Sequence, residues 1–388
     1  MDRDTFRELL SPTGQSALAD ATAFPPAEAS FLRAFDQLRK HYPPPLAKAA
    51  IETVVLREKA RAKFTHAAKM YFTREALEQA SGEHVSRYRS SRLEEYGSVL
   101  DLCCGIGADT IALAEAGLIV TAWDNDPLRL DMARANVAVH GLADRVRYQL
   151  GDVTELTLYG ERAAFIDPSR REGERRFLDP DQYQPPLGKI LSALPAGFPL
   201  AAKIAPGVSR SDLAKWDAGV EFISVEGELK ECVLWFGPLR NAALRATVLP
   251  GPHTLASDGQ LFEPPPSEPL QFIFDPDPAV IRAGLLPLLA EQLDAVPVDH
   301  GIAVLTGSWE MSSPFAKCHA VEHAAPFHVG KLRDYLRERH IGRVTMLKRA
   351  VELDVNDVMR KLKLDGPEHR LVILVRSMDK PWAVVCSG

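Results

Sequence analysis

Four short apolar runs in the first half of the chain each carry an acidic residue at their C-terminal end, and helical patterns separate them. The runs cover 99–102 with Asp101, 119–123 before Asp124, 146–150 before Gly151-Asp152, and 163–166 before Asp167-Pro168. Apolar runs alternating with helical periods predict an open, mostly parallel sheet covered by helices. Ligands bind such a sheet at the carboxyl ends of its strands, where these four acids collect. Residues 99–107 read Val-Leu-Asp-Leu-Cys-Cys-Gly-Ile-Gly, a strand entering a glycine-spaced turn, and a helix over 108–116 follows, stopped by Gly117. Gly105 and Gly107 carry no side chains, so the backbone can turn sharply and approach a ligand. A dinucleotide pyrophosphate is a poor fit: Thr110 stands where that fingerprint wants its third glycine, and Asp101 repels a phosphate. A carboxylate there suits a cationic ligand.

On Asp101, Gly105, Gly107, Asp124, Asp152 and Asp167 the run resembles a class I S-adenosylmethionine-dependent methyltransferase. The resemblance implies an α/β Rossmann-like sheet, parallel with a terminal antiparallel hairpin (220–225 and 229–236), and S-adenosylmethionine as cofactor. It implies that Asp101 faces the methionine moiety through a water or the turn's amides, and that Gly105 and Gly107 give that end backbone access. Asp124 then accepts both ribose hydroxyls, with Asn125 beside it; Asp152 accepts from the adenine amine, with the Val153 backbone near a ring nitrogen. The alternative is that Asp101 and Asp124 merely cap loops. Cys103 stands where the family commonly has glycine, and the Cys103-Cys104 pair reads as core packing. Gln79-Ala80-Ser81, with Asp101 and Asp167-Pro168, is similar to cap-type guanine-N2 methyltransferases. There the segment ahead of the first strand closes over the cofactor, which makes Gln79 and Ser81 cofactor contacts.

Asp167-Pro168-Ser169-Arg170-Arg171 carries the candidate catalytic chemistry. It resembles the D-P-P-Y motif of amino methyltransferases acting on nucleobases, in which acid and carbonyl accept from an exocyclic amine and align its lone pair for in-line displacement. Only Asp167 and Pro168 match; Ser169 replaces the second proline and Arg170 the stacking aromatic. A guanidinium can stack on a base or bind phosphate, so Arg170 and Arg171 are candidate substrate contacts. Their pairing with Glu172 and Glu174 is the equal alternative. Lys203, ending the fifth strand, is placed on the same rim as a candidate phosphate contact, or simply exposed.

The flanks differ from this core. Residues 1–92 read as a helical domain, with an apolar stripe at Phe31, Leu32, Phe35 and Leu38, a break at Pro43-Pro44-Pro45, a long helical pattern over 46–71, and Ser81 as N-cap of a helix over 83–92. A methyltransferase domain over 93–245 and a Pro/Gly-rich linker with short strands over 246–278 follow. The C-terminal α/β region, 279–388, is expected to hold helices over 279–293, 329–339 and 357–363, and strands near 301–306, 318–323, 343–348 and 371–376. From about 315 to 388 it resembles the THUMP-like domain of certain bacterial methyltransferases, on Gly342-Arg343-Val344, Lys348-Arg349 and Lys361-Leu362-Lys363-Leu364; this makes Lys348 and Arg349 candidate substrate contacts.

Net charge is −6, yet residues 33–92 hold 13 Lys/Arg against 6 Asp/Glu, and 328–363 hold 10 against 5. That asymmetry points to a polyanion, RNA, on the flanking segments, or else to solvated helix faces. Five cysteines without a C-x-x-C pair favour reduced thiols over a disulfide framework or zinc site. His319 and His323 on a strand share one face about 13 Å apart, too far for one metal. The opening lacks a signal-peptide build, and no run reaches the ~18 apolar residues of a membrane span, so a cytoplasmic enzyme is expected. The leading expectation is methyl transfer to a nitrogen of an RNA base. A small-molecule methyltransferase, or an RNA-binding protein with a non-catalytic cofactor pocket, are the alternatives.

Overall fold

The computed structural model describes residues 1–172 and 175–387, with the side chains of 171–176 and 210 outside the description. The chain forms two compact units, 1–219 with 231–241, and 220–230 with 242–388.

The first unit opens with six helices: α1 (Arg3–Leu10), α2 (Pro12–Ala21), α3 (Phe31–Leu38), α4 (Pro44–Ala60), α5 (Arg74–Gln79) and α6 (Glu83–Ser91). Asp2 caps α1 by accepting from the Thr5 amide, and Ser11 caps α2, with Pro12 in its first turn. Gly14 lets α2 pack against the end of α1, since a Cβ there would lie 2.3 Å from Leu9. The helical pattern over 46–71 holds only to Ala60. Beyond it Phe64, Ala67 and Met70 stay buried, but the backbone turns. Side chains fasten it: Arg57 Nε of α4 donates to Met70 O at 2.9 Å, and Lys63 Nζ within it donates to Leu77 O of α5 at 2.7 Å. Two residues of the basic N-terminal run are thus structural. Ser81 does not cap the next helix; Gly82 occupies that position.

The sheet follows: β1 (Ser98–Leu102), α7 (Ala108–Glu115), β2 (Ile119–Asp124), α8 (Pro127–Val139), β3 (Val146–Leu150), β4 (Ala163–Ile166), α9 (Leu187–Ala193) and β5 (Leu200–Ile204). Strands β6 (Gly219–Val225) and β7 (Glu228–Phe236) lie where the closing hairpin was expected. In this unit the order is β7-β5-β4-β1-β2-β3, parallel except that β7 runs antiparallel to β5, Leu200 opposite Phe236. Val99, Leu100 and Leu102 are fully buried, as a central strand covered on both faces requires. The chain winds outward to β2 and β3 on one side of β1 and to β4 and β5 on the other, so the switch point lies at the carboxyl ends of β1 and β4.

In the second unit β6 pairs in parallel with β8 (Leu244–Leu249), which pairs with β9 (His253–Ser257). A second sheet of β10 (Phe272–Pro276), β11 (Ala295–Pro297), β12 (Leu305–Gly307), β13 (Ala316–Pro326), β14 (Ile341–Arg349), β15 (Glu368–Ser377) and β16 (Lys380–Ser387) has the order β11-β12-β10-β13-β16-β15-β14. The expected 279–293 helix is two, α10 (Pro278–Ala283) and α11 (Leu286–Gln292), because Gly284 turns left-handed at φ 73° and ends the first. Helices α12 (Val329–Glu338) and α13 (Val355–Leu362) pack Leu332, Leu336, Val358 and Leu362 on Val372, Leu374 and Val385. A bulge between Val321 and His323 breaks the two-residue alternation, so His319 and His323 do not share a face as expected; His323 stacks on Tyr335, centroids 4.2 Å apart. Among the described residues no His, Cys, Asp and Glu side chains gather as a metal-ligating group, and no helix is long and apolar enough to cross a membrane.

Candidate active site

The turn after β1 is built by its neighbour strand. Gly105 N–H donates to Asp124 Oδ2 at 2.8 Å, and Asp126 N–H to Asp124 Oδ1 at 2.9 Å. One carboxylate at the end of β2 therefore holds both the glycine turn and the start of α8, which Asp126 caps. Gly107, at φ 83°, is required twice over: the conformation is left-handed, and a Cβ would press within 3.1 Å of Ala133 on α8. Gly105 differs, for its absent Cβ faces open space, leaving backbone for a ligand. Cys103 also turns left-handed, at φ 62°, a conformation that glycine takes without strain. Burial pushes both the Cys103 and Cys104 thiols well up, so neither serves as a thiolate.

Asp124 is 4% exposed, and burial raises its pKa. Each of its oxygens retains a second acceptor site after the backbone bonds. Asn125 is exposed beside it. At the end of β3, exposed Asp152 accepts from the Thr154 amide and hydroxyl, both at 2.8 Å, which lowers its pKa; Val153 is buried. Trp123, unforeseen in sequence, donates from Nε1 to Gly151 O at 3.0 Å and walls that side.

Beneath the turn lies a buried polar network. Asp101, 1% exposed, accepts from the Thr110 hydroxyl, so the residue that broke the glycine fingerprint is the partner of the first strand's acid. Burial, then Asp109, pushes the Asp101 carboxyl well above its ordinary range. Arg89 of α6, 2% exposed, pairs with Asp109 and with Glu231 at 2.8 Å and lies over the Phe165 ring. Lys203 is not at the surface as expected: it is 4% exposed, with Nζ 2.6 Å from Asp167 Oδ2 and 2.9 Å from Ser81 Oγ. Gln79 contributes its carbonyl to the same ammonium at 3.5 Å. Sequence reading missed Arg89, Asp109, Thr110 and Glu231 as site-supporting residues, since in a charged helix a buried arginine looks like a solvated one.

One consequence is a pH signature. A folded Asp101 that holds its proton above 3.8 while the unfolded chain has released it makes stability fall as pH rises through that window. Its charged surroundings are Asp109, Asp167 and Arg89. Urea unfolding from pH 4 to 8 should show wild type losing stability relative to Asp101→Asn, by at most about 1.4 kcal/mol per pH unit. Parallel profiles would refute the buried-acid assignment.

Beyond β4, Pro168 is buried, and Asp167, Ser169 and Arg170 are half-buried. Ser169 exchanges both backbone hydrogen bonds with Gln184, at 3.0 and 2.9 Å. Pairing thus supplies the rigidity of the missing second proline. The chain makes an antiparallel excursion, Arg171 opposite Arg176, and Phe177 N–H donates to Arg170 O at 2.9 Å. Arg170 and Phe177 therefore stand opposed on one face of the excursion. Tyr183 anchors its return, accepting from the Ala205 amide at 3.0 Å and donating to Leu178 O at 3.2 Å. The side chain of Arg171, like Glu174, lies outside the described residues. In the second unit Lys348 is exposed with Nζ on Leu353 O at 3.2 Å, whereas Arg349 is clamped by both oxygens of Asp275 at 3.0 Å.

A parallel switch-point sheet with a glycine turn after β1 and acids at the strand ends defines the class I methyltransferase fold. Family models agree: residues 99–166 match a methyltransferase domain, 316–388 a THUMP-like domain, and 2–60 a domain of unknown function. An uncharacterized S-adenosylmethionine-dependent methyltransferase of Mycobacterium tuberculosis is 32% identical over 356 residues, 87% of this chain and 96% of that one. An uncharacterized RNA methyltransferase of Parasynechococcus marenigrum is 35% identical over 99 residues, 25% of this chain and 21% of its own. A crystal structure of an assigned methyltransferase from Porphyromonas gingivalis W83 shares the fold at TM-score 0.75 and 18% identity, covering 92% of this chain and 98% of that chain. The chain belongs to the S-adenosylmethionine-dependent methyltransferases. Its cofactor fits the residues present: an open approach at Gly105, and beside it the Asp124 carboxylate, 4% exposed, whose oxygens each keep an acceptor site.

Proposed function

We propose that the enzyme methylates a nitrogen of an RNA base, and that Asp167, Pro168, Ser169 and Arg170 form its acceptor site. The observation that carries this is the strand-end Asp167-Pro168 leading directly into the excursion that sets Arg170 opposite Phe177. S-adenosylmethionine supplies an electrophilic methyl carbon on a sulfonium. Gly105, Gly107 and Cys103 of the turn, Asp124 with Asn125, Asp152 with Val153, and Gln79 and Ser81 are the residues to hold it. Asp167 accepts an N–H of the base and directs the nitrogen lone pair at the methyl carbon. The new N–C bond would form as the S–C bond breaks with its electron pair left on sulfur, and Asp167 would take the N–H proton and pass it to water. Arg170 and Phe177 present a guanidinium and a ring for stacking, in place of the absent aromatic of the motif.

The ion pair of Asp167 with Lys203 favours a base over a small metabolite. Its charge already cancelled, Asp167 suits a neutral exocyclic amine, which keeps a lone pair to be turned toward the methyl carbon, rather than an ammonium, which has none. Exposed Lys331, Arg343, Lys348 and Lys363 of the THUMP-like part suit a phosphate backbone. Arg349 is a weaker candidate, and Arg171 a candidate only. A functional division at 1–92, 93–245, 246–278 and 279–388, and a cytoplasmic setting, accompany this reading.

Incubating total RNA and DNA from a deletion strain with tritiated cofactor tests it. Label in RNA supports the reading; label in neither pool overturns it in favour of a metabolite. Arg170→Ala and Phe177→Ala should each lose about tenfold or more of RNA labelling, as a lost stacking contact of about 1–3 kcal/mol implies, with S-adenosylhomocysteine affinity by calorimetry unchanged. Equal loss of both would mark a structural role.

A further inference from the structure

Lysine is almost never fully buried without a partner, and Lys203 has acceptors from two separate segments. Its ammonium has three protons. One goes to Asp167 Oδ2 at 2.6 Å, one to Ser81 Oγ at 2.9 Å, and the third points to Gln79 O at 3.5 Å. Asp167 follows β4; Gln79 and Ser81 precede β1 by almost 20 residues and lead into α6. Ser81 is itself 7% exposed, and its hydroxyl is given to Lys203 rather than to the helix it precedes. A serine diverted from capping, and a lysine diverted from solvent, meet at the carboxylate that ends the acceptor strand. The α6 that follows is tied down separately, through Arg89 to Asp109 and Glu231, so the 79–81 segment has its own fastening.

We propose that Lys203 is a positioning residue that locks the Asp167 carboxylate and the 79–81 segment into one unit, so that acceptor recognition and closure over the cofactor depend on a single ammonium. With Oδ2 held by Lys203, Oδ1 is the oxygen left to take the substrate N–H, and the carboxylate can present it at one angle only. Lys203 itself touches neither reacting atom. The inference rests on the reading of Asp167 as the acceptor of a substrate N–H, but its fastening of 79–81 does not.

The test pairs Lys203→Met, which keeps the length and removes the charge, with Lys203→Arg, in the full chain. Lys203→Met should lose about 10²-fold in kcat for RNA labelling at saturating cofactor, the scale of a misplaced catalytic group, and should raise KM for the cofactor as well, because 79–81 is released with it. Lys203→Arg should recover part of that rate. The double variant Lys203→Met with Asp167→Asn should be no slower than Asp167→Asn alone, because the lysine acts through the carboxylate. Amide hydrogen exchange over 79–82 should quicken in Lys203→Met and return toward wild type in Lys203→Arg. Wild-type turnover in Lys203→Met, losses that add in the double variant, or unchanged exchange over 79–82 would each overturn the proposal. Wild-type enzyme that labels no RNA, with exchange over 79–82 still quickened by Lys203→Met, would overturn the acceptor reading and the turnover half of this proposal, leaving the fastening established. If Lys203→Met fails to fold, Lys203→Arg carries the same rate and exchange comparisons.

Discussion

Arg89→Met is expected to cost about 3–5 kcal/mol of stability, the largest loss of any single substitution in the site. The reason is what it leaves behind. Arg89 is 2% exposed, and its partners Asp109 and Glu231 are nearly as deep. Ser86 donates to Asp109 at 2.8 Å, but a hydroxyl does not neutralise a carboxylate. Truncation thus strands two buried acids and also removes the guanidinium from the Phe165 ring, 4.6 Å from its centroid. For a unit of this size the loss translates to a melting temperature lower by roughly 6–20 °C. Two controls separate charge from packing. Adding Glu231→Gln to Arg89→Met should recover part of the loss, since one stranded charge is gone. The deficit of Arg89→Met should also shrink toward acid pH: burial already raises the Glu231 pKa while Arg89 lowers it, so without Arg89 it climbs further and protonation relieves the penalty. A loss under about 1 kcal/mol, or one indifferent to pH, would show that these charges are better solvated than their burial implies.

The same residue marks where sequence reading stopped. The strands, the glycine turn and the four acids were legible because each is local: periodicity, a turn and a strand end are all written within ten residues. Partners were not. Nothing near Arg89 tells that α6 faces β7, where Glu231 lies, because that contact exists only after the sheet order brings β7 beside β5. Lys203 looked like a rim lysine for the same cause, its carboxylate lying on the neighbouring β4. Thr110 was counted as a broken glycine motif, when its hydroxyl completes Asp101. The over-long helix over 46–71 failed differently: its apolar period continued into a turned segment that Arg57 of α4 fastens at Met70 and its own Lys63 fastens to α5. The histidine face failed through one bulge, a single extra residue that no period-two reading detects.

Asp124→Ala should abolish measurable S-adenosylhomocysteine binding, and Asp124→Asn decides why. On the cofactor reading the carboxylate accepts two ribose hydroxyls, each charge-assisted bond worth about 1.5–3 kcal/mol, so losing both weakens binding by at least about 100-fold. The same carboxylate also holds Gly105 and Asp126 amides at 2.8 and 2.9 Å, and alanine would orphan both in a site only 4% exposed. Alanine therefore confuses a lost ligand contact with a disordered turn. Asparagine keeps one acceptor oxygen and the side-chain shape, but sets an amide donor against either Gly105 or a ligand hydroxyl. It should unfold within about 1–2 kcal/mol of wild type while still losing about tenfold or more in S-adenosylhomocysteine affinity. Calorimetry beside thermal unfolding reads the two effects apart. If Asp124→Asn binds as wild type does, Asp124 is a loop-capping carboxylate that shapes the turn, and the cofactor is held by the backbone of 103–107 without it.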